Sequence, residues 1–120
     1  MKTHCIRLIE GEDIKARIIS YCKTNNILVA VVVSSVGCVK KAVIRDTGGK
    51  QHHTIEENME IISINGTASI YRVHLHISFS KIDLSVIGGH MMEGCIVNTT
   101  CELVLLELDN TVFNSIYDPT

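Results

Sequence analysis

The sequence predicts a single α+β domain, with one helix and about seven mostly antiparallel strands. Its length of 120 residues suits one compact domain spanning residues 1–120. Only one segment, close to the N-terminus, has apolar residues at the spacing of a helix. The rest of the chain consists of strand-sized apolar runs separated by turn residues, without repeats or linkers.

The N-terminal part is predicted to form the first strand and the helix. "THCIRLI" (residues 3–9) has the composition of a strand, and the helix is expected over about residues 12–25. Glu12 and Asp13 occupy the helix start, where the positive end of the dipole favours acidic groups. Its apolar stripe repeats every four residues and comprises Ile14, Ile18 and Cys22.

The next segments change to a strand pattern. "ILVAVVVSS" (residues 27–35) is almost continuously apolar, which predicts a strand buried on both faces. A turn or kink is expected at Gly37, followed by a further strand, "KKAVIRD". "TGGKQHHTIEEN" (residues 47–58) predicts a polar loop or weak exposed hairpin, with its adjacent histidines, His52 and His53, in solvent.

The second half predicts four more strands. "MEIISINGTASIYRVHLHISF" (residues 59–79) holds two of them, and the Asn-Gly pair at 65–66 is a strong signal for the turn between them. "LSVIGGHMM" and "CIVNTTCELVLLEL" supply the other two. Residues 109–120 show no decisive pattern.

Composition narrows the classes of function. Hydrophobic residues make up 46% of the chain and the mean hydropathy is +0.25, an apolar surplus that a subunit interface would absorb. A net charge of −2 argues against direct DNA binding by the isolated chain. No apolar run reaches membrane-spanning length and no N-terminal signal region is visible, so we expect a cytoplasmic protein without membrane association.

Three histidines are predicted to converge. His74 and His76 share one face of a strand, with Cβ atoms roughly 7 Å apart. If the hairpin turn in "SKIDLS" centres on Asp83, His90 lies directly opposite His76, at about 5 Å. A shift of one residue in register would place His90 on the other face. The Gly-Gly pair at 88–89 leaves bare backbone beside this cluster, where a ligand could approach.

Three neutral imidazoles suit Zn²⁺ or a similar divalent ion and leave one coordination position open, as in catalytic zinc sites. Uptake should then fail near pH 6–6.5, the ordinary range of histidine. The alternative is that these are partly exposed strand histidines, hydrogen-bonded to neighbours or to water.

Other candidates stand beside the histidines in the sequence. Glu93 is the nearest acid–base residue, although strand alternation directs it away from His90 unless the chain bends at Gly94. Arg45 and Arg72 could bind an anionic substrate, and the alternative is that they form solvated or interfacial ion pairs. Cys95 is close enough in sequence to be a fourth ligand, but its opposite parity favours a buried thiol.

Five segments together resemble the PPC domain (plants and prokaryotes conserved, DUF296) from about Arg7 to Asp118: "RLIEGEDI", "SSVGCVKKAVIR", "EIISINGTAS", "HLHISFS" and "VIGGHMMEGCIVNTTCE". The resemblance implies an α+β domain that assembles as a homotrimer and a metal site on His74, His76 and His90. Prokaryotic members are often the bare domain and are regarded as DNA-binding. The histidine arrangement is also similar to that of acetolactate decarboxylases, which are zinc enzymes.

Two departures from the family pattern affect these expectations. No AT-hook, the DNA-binding element of plant members, is present in the sequence. In the hairpin turn, Lys81 replaces the family's acid and Leu84 replaces its glycine, which would weaken metal binding if that acid supports the site. The sequence therefore predicts a trimeric module with a metal site of unassigned role. The alternative is a small zinc-dependent lyase or hydrolase with a small-molecule ligand.

Overall fold

A computed structural model of the protein describes residues 1–109, which form one helix and seven strands. In chain order these are β1 (Lys2–Ile9), α1 (Ile14–Thr24), β2 (Ala30–Arg45), β3 (His52–Ile55), β4 (Met59–Ala68), β5 (Val73–Ser80), β6 (Val86–Met91) and β7 (Ile96–Glu107). Every strand pairing is antiparallel, so the predicted α+β class is confirmed. Asp118, where the family resemblance ends, and the rest of 110–120 lie outside the described residues.

The long strand β2 organises the sheet. The strand order is β1-β7-β2-β4-β5-β6, with β3 also paired to β2. The last two residues of β2 pair with β6, where Ile44 lies opposite Met91 and Arg45 opposite His90. Because β2 also pairs with β4, the strands β2, β4, β5 and β6 form a closed circuit. This closure brings the end of β2 against the β5–β6 hairpin.

The helix packs its predicted stripe into the core. Ile14, Ile18 and Cys22 are fully buried, and each buried isoleucine contributes about 1.5–3 kcal/mol to folding. Asp13 caps the helix by accepting a hydrogen bond from the backbone amide of Ala16 at 3.0 Å. The helix ends at Thr24, as the polar residues after it predict. No helix within residues 1–109 is long and apolar enough to cross a membrane.

A buried histidine, His4, joins three elements of the fold. Nδ1 of His4 lies 2.8 Å from the hydroxyl of Tyr21, on α1, and its Nε2 lies 2.8 Å from a carboxylate oxygen of Glu107, on β7. Both ring nitrogens therefore have partners, which is what burial of an imidazole requires. His4 holds β1, α1 and β7 together and lies apart from the other histidines.

The prediction of two strands around Gly37 is wrong, because β2 runs through this position. Gly37 has a φ of 149° and marks a shift in the pairing of β2 with β7. A Cβ here would lie 2.3 Å from the carbonyl oxygen of Thr100, so glycine allows a kink where the strands touch. Burial of residues 27–35 on both faces is also not observed, since Val33 is 59% exposed, and Val36 just beyond is 56% exposed.

The prediction of a turn at Asn65-Gly66 is wrong as well, since both residues lie inside β4. The turn falls at Ser69–Arg72, where the Ser69 hydroxyl accepts hydrogen bonds from the amides of Tyr71 and Arg72. Gly66 is needed for a different reason. A Cβ at this position would lie 2.0 Å from the carbonyl oxygen of His74 on β5.

Candidate metal centre

The three predicted histidines lie together on one face of the β5–β6 hairpin. His76 is directly opposite His90, which is the predicted register. The ring centroid of His74 lies 5.3 Å from that of His76 and 5.2 Å from that of His90, and the third separation is 5.8 Å. Strand alternation provides the first pair, and the hairpin turn adds the third ring.

This geometry fits a divalent ion after a small adjustment. One nitrogen from each ring can be chosen so that all three lie within 4.8 Å of one another. Three nitrogens at zinc-ligand distance in a tetrahedral site are roughly 3.4 Å apart. Rotation of the rings about their side-chain bonds has to close the difference, and His74 and His76 are exposed enough to rotate. The donor set is three imidazoles, which zinc and similar ions accept.

The surroundings keep two of these rings neutral. Burial lowers the pKa of His90 to about 4, and the positive charge of Arg45 adds to the effect. Burial also lowers the pKa of His74, followed by the charge of Arg72. Both rings therefore have lone pairs available at neutral pH. Protonation of these two rings is therefore shifted below the ordinary histidine range near pH 6–6.5.

A cavity of about 630 Å³ opens over the histidines. Its lining is formed by β2, β4, β5, β6 and the segment after β2, and comprises Arg45, Asp46, Thr47, Ser63, Asn65, His74, His76, Ile77, Ser78, Gly88, Gly89 and His90. The predicted Gly-Gly pair does line the cavity, but it also serves strand packing. A Cβ at Gly88 would lie 2.7 Å from the carbonyl oxygen of Ile77, and one at Gly89 would lie 2.7 Å from that of Arg45.

The structure places Arg45 beside the histidines, a position that the sequence did not predict. The Nε atom of Arg45 is buried and has no hydrogen-bond partner among residues 1–109. The ion pairs considered for Arg45 and Arg72 are not found within this part of the chain. Lys15, on α1, also acts electrostatically on His74 and His90.

Asp46 supplies the carboxylate among the cavity-lining residues, and it is already engaged. Its oxygen lies 2.8 Å from Nε2 of His53. That hydrogen bond is the main cause of the lowered pKa of Asp46. The acid is therefore ionised at neutral pH and paired with a histidine outside the three-histidine cluster.

Two other candidates from the sequence do not join the site. Glu93 is exposed, lies in the turn after β6 and does not line the cavity. Cys95 is fully buried, with its sulfur 3.5 Å from the carbonyl oxygen of Val43. Burial raises the pKa of this thiol to about 11, so it stays protonated. The buried-thiol interpretation of Cys95 is confirmed.

The unusual hairpin turn does not reach the histidines. Nζ of Lys81 lies 3.7 Å from Oε1 of Glu57. Asp83 accepts hydrogen bonds from the backbone amide and the hydroxyl of Ser85. Leu84 has a φ of 70°, a conformation that glycine would adopt without strain. The turn residues do not line the cavity over the cluster. The departures at Lys81 and Leu84 therefore do not alter the immediate surroundings of the ring nitrogens.

Comparison with known proteins adds three findings. The family model of the Plants and Prokaryotes Conserved (PCC) domain matches residues 1–109. A hypothetical protein of Salmonella cholerae-suis is 31% identical, with a TM-score of 0.87 over 89% of this chain and 78% of that one. A metal-containing protein of Archaeoglobus fulgidus is 28% identical, with a TM-score of 0.80 over 99% of this chain and 88% of that one.

Curated relatives include the bifunctional protein GlmU from a Synechococcus strain, which is 27% identical over 119 residues. The match covers 99% of this chain, but the chain spans only 19% of the length of the curated relatives it matches.

Proposed function

This chain belongs to the Plants and Prokaryotes Conserved domain family, and we propose that it is a homotrimeric module whose subunits each bind a divalent metal ion, zinc or a similar ion, through His74, His76 and His90. The observation that carries this proposal is the convergence of three imidazoles at one cavity. The lowered pKa values of His74 and His90 support it, because metal binding needs deprotonated rings. So does the metal-containing relative from Archaeoglobus fulgidus.

Metal analysis of protein purified without an affinity tag tests the metal site. We expect about one equivalent of zinc or a similar ion per chain after equilibration, since three ligands form one centre. Replacing His74, His76 or His90 by alanine should abolish uptake, because two imidazoles hold such an ion weakly. His52→Ala is the matched control, since His52 is exposed and outside the cluster. Circular dichroism should show that all four variants fold.

Absence of uptake by the wild-type chain would refute the metal site. Undiminished uptake by the three cluster variants would refute the assignment of its ligands.

The trimer is proposed from surface composition together with family membership. Two groups of large apolar side chains are exposed in the single chain: Val33 and Val36 on β2, and Ile82, Leu84 and Val86 on and beside the hairpin turn. Apolar surface of this kind is ordinarily covered by a protein partner. A second and third copy of the chain are the partners that the family resemblance implies.

The DNA-binding role attached to the family is not proposed for the isolated chain. Its net charge is −2, whereas proteins that bind duplex DNA through phosphates present basic faces. Arg45, Arg72 and Lys15 cluster near the histidines, and we assign their charge to a small ligand below.

A zinc-dependent lyase or hydrolase is the second candidate. The cavity over the three histidines favours it, because a substrate could take the open position on the ion. The acid–base residues are less favourable, since Asp46 is paired with His53 and Glu93 lies outside the cavity. We therefore place ligand binding ahead of catalysis.

A further inference from the structure

The charge around the histidine cluster is net positive. A divalent ion bound by three neutral imidazoles keeps its full charge of about +2. Arg45, Arg72 and Lys15 add three cations that act on His74, and Arg45 and Lys15 also act on His90. None of these three side chains forms a salt bridge with another described residue. The ionised carboxylate of Asp46 lines the cavity, accepts a hydrogen bond from His53 and offsets one of these positive charges.

The backbone of Arg45 is fixed beside the histidine cluster by strand pairing. Its backbone pairs with His90 on β6 and, on the other side, with His52 on β3. Its buried Nε has a hydrogen atom to donate and no acceptor within residues 1–109. A buried donor without an acceptor destabilises the protein that carries it, so an acceptor from a ligand would bring a net gain. The guanidinium fork matches two coplanar oxygens, which is the geometry of a carboxylate.

The cavity is larger than a single ion requires. Its volume of about 630 Å³ lies within the range of small-molecule sites. Thr47 and Asn65 line it, and their side chains make no hydrogen bond to other described residues. They are therefore free to orient the polar groups of an organic ligand.

We propose that this cavity binds a small organic carboxylate, with one oxygen at the open position of the ion on the histidines and the other on the guanidinium of Arg45. The proposal rests on the metal site proposed above and adds the class of ligand. A carboxylate reaches the orphan Nε donor once the Arg45 side chain rotates towards the cavity, because this atom is buried in the ligand-free chain. It also offsets the local positive charge and leaves room for an organic substituent beside Asn65 and Thr47.

Cobalt substitution provides the test, because the visible spectrum of Co²⁺ changes when its fourth ligand changes. The full chain is loaded with Co²⁺, its metal content is measured, and it is titrated with sodium acetate, sodium glycolate, sodium phosphate and neutral acetamide. We expect saturable spectral changes with acetate and glycolate, tighter binding of glycolate than of acetate because its hydroxyl can bond to the lining, and no change with acetamide.

Variants of Arg45 test whether its paired guanidinium donors, and not only its positive charge, bind the carboxylate. Arg45→Lys and Arg45→Gln should each weaken carboxylate binding by about tenfold or more, because both lose the paired donors. Cobalt content should stay the same in both. Arg72→Gln removes a nearby cation that does not line the cavity, so its effect should stay within about threefold.

The outcomes distinguish this inference from the metal proposal. A wild-type chain that takes up no cobalt would overturn both. Normal cobalt uptake with no response to carboxylates, or full carboxylate affinity in Arg45→Lys, would overturn the ligand assignment alone. Tighter binding of inorganic phosphate than of either carboxylate would also overturn it.

Discussion

Replacing Gly66 by alanine tests how closely β4 and β5 pack beside the histidines. Gly66 has a φ of 140°, and a Cβ added to it would lie 2.0 Å from the carbonyl oxygen of His74. The same Cβ would lie 3.0 Å from the Cα of Leu75. Both neighbours are backbone atoms, so no side-chain rotation relieves the contact. The two strands have to separate by about 1.5 Å to restore a normal contact distance of about 3.5 Å.

The expected loss of stability has two parts. Alanine at this φ costs about 1–3 kcal/mol in backbone strain. Separating the strands weakens about two neighbouring backbone hydrogen bonds, each contributing roughly 0.5–1.5 kcal/mol. Gly66→Ala should therefore lower the free energy of unfolding by about 2–6 kcal/mol. Gly11→Ala is the matched control, since Gly11 has a φ of 88° and nothing within 4 Å of the added Cβ. Gly11→Ala should lower the free energy of unfolding only by the backbone-strain part, about 1–3 kcal/mol.

Urea unfolding at one fixed protomer concentration measures both variants, because subunit association makes apparent stability depend on concentration. Zinc uptake provides a second measurement. It should fall in Gly66→Ala, which displaces the backbone of His74, and stay at the wild-type level in Gly11→Ala. If Gly66→Ala is no less stable than Gly11→Ala, the close strand contact described here is refuted.

Three further predictions concern assembly, DNA and pH. Light scattering of the wild-type protein should give a mass of about 40 kDa, three times the 13.3 kDa of one chain. Val33→Asp should shift the measured mass towards that of the monomer. A wild-type protein that is monomeric would exclude the trimer. Labelled AT-rich duplex should show no saturable binding at physiological salt, and sub-micromolar affinity with a steep salt dependence would contradict this.

The metal-free protein should lose stability as pH falls from 6.5 towards 4. The unfolded chain protonates His90 near its ordinary pKa of 6.5, whereas the folded chain does so only at about 4. The stability lost is at most about 3 kcal/mol. Thermal unfolding of His90→Asn should show a smaller loss over this range, and an unchanged pH dependence would contradict the lowered pKa.

The histidine cluster could be predicted because it depends on local rules. Alternation along one strand puts His74 and His76 on the same face, and a short hairpin turn sets the position of His90. The helix could be predicted for a similar reason, since its cap and its buried stripe lie within about three turns of chain.

The two wrong turn assignments have a different origin. Glycine after asparagine is equally suited to a tight turn and to a strand position where another backbone comes very close. At Gly66 the second use applies, and the Ser69 side chain supplies the turn instead. Gly37 likewise accommodates the backbone at Thr100 rather than reversing the chain. The pairing register distinguishes these cases: for Gly66 the register of the β4–β5 hairpin, and for Gly37 the pairing with the distant strand β7. The Asn-Gly and Gly signals alone do not encode either register.

The position of Arg45 depends on the same kind of long-range pairing. Arg45 reaches the histidines because β2 closes the circuit against β6, a contact between segments about 45 residues apart in the chain. The proposed metal ligands, in contrast, all belong to one hairpin. If both proposals hold, metal binding and ligand choice reside on different parts of the fold. Substitutions at the end of β2 should then change which anion is bound while leaving metal uptake intact, whereas substitutions of the hairpin histidines should remove both.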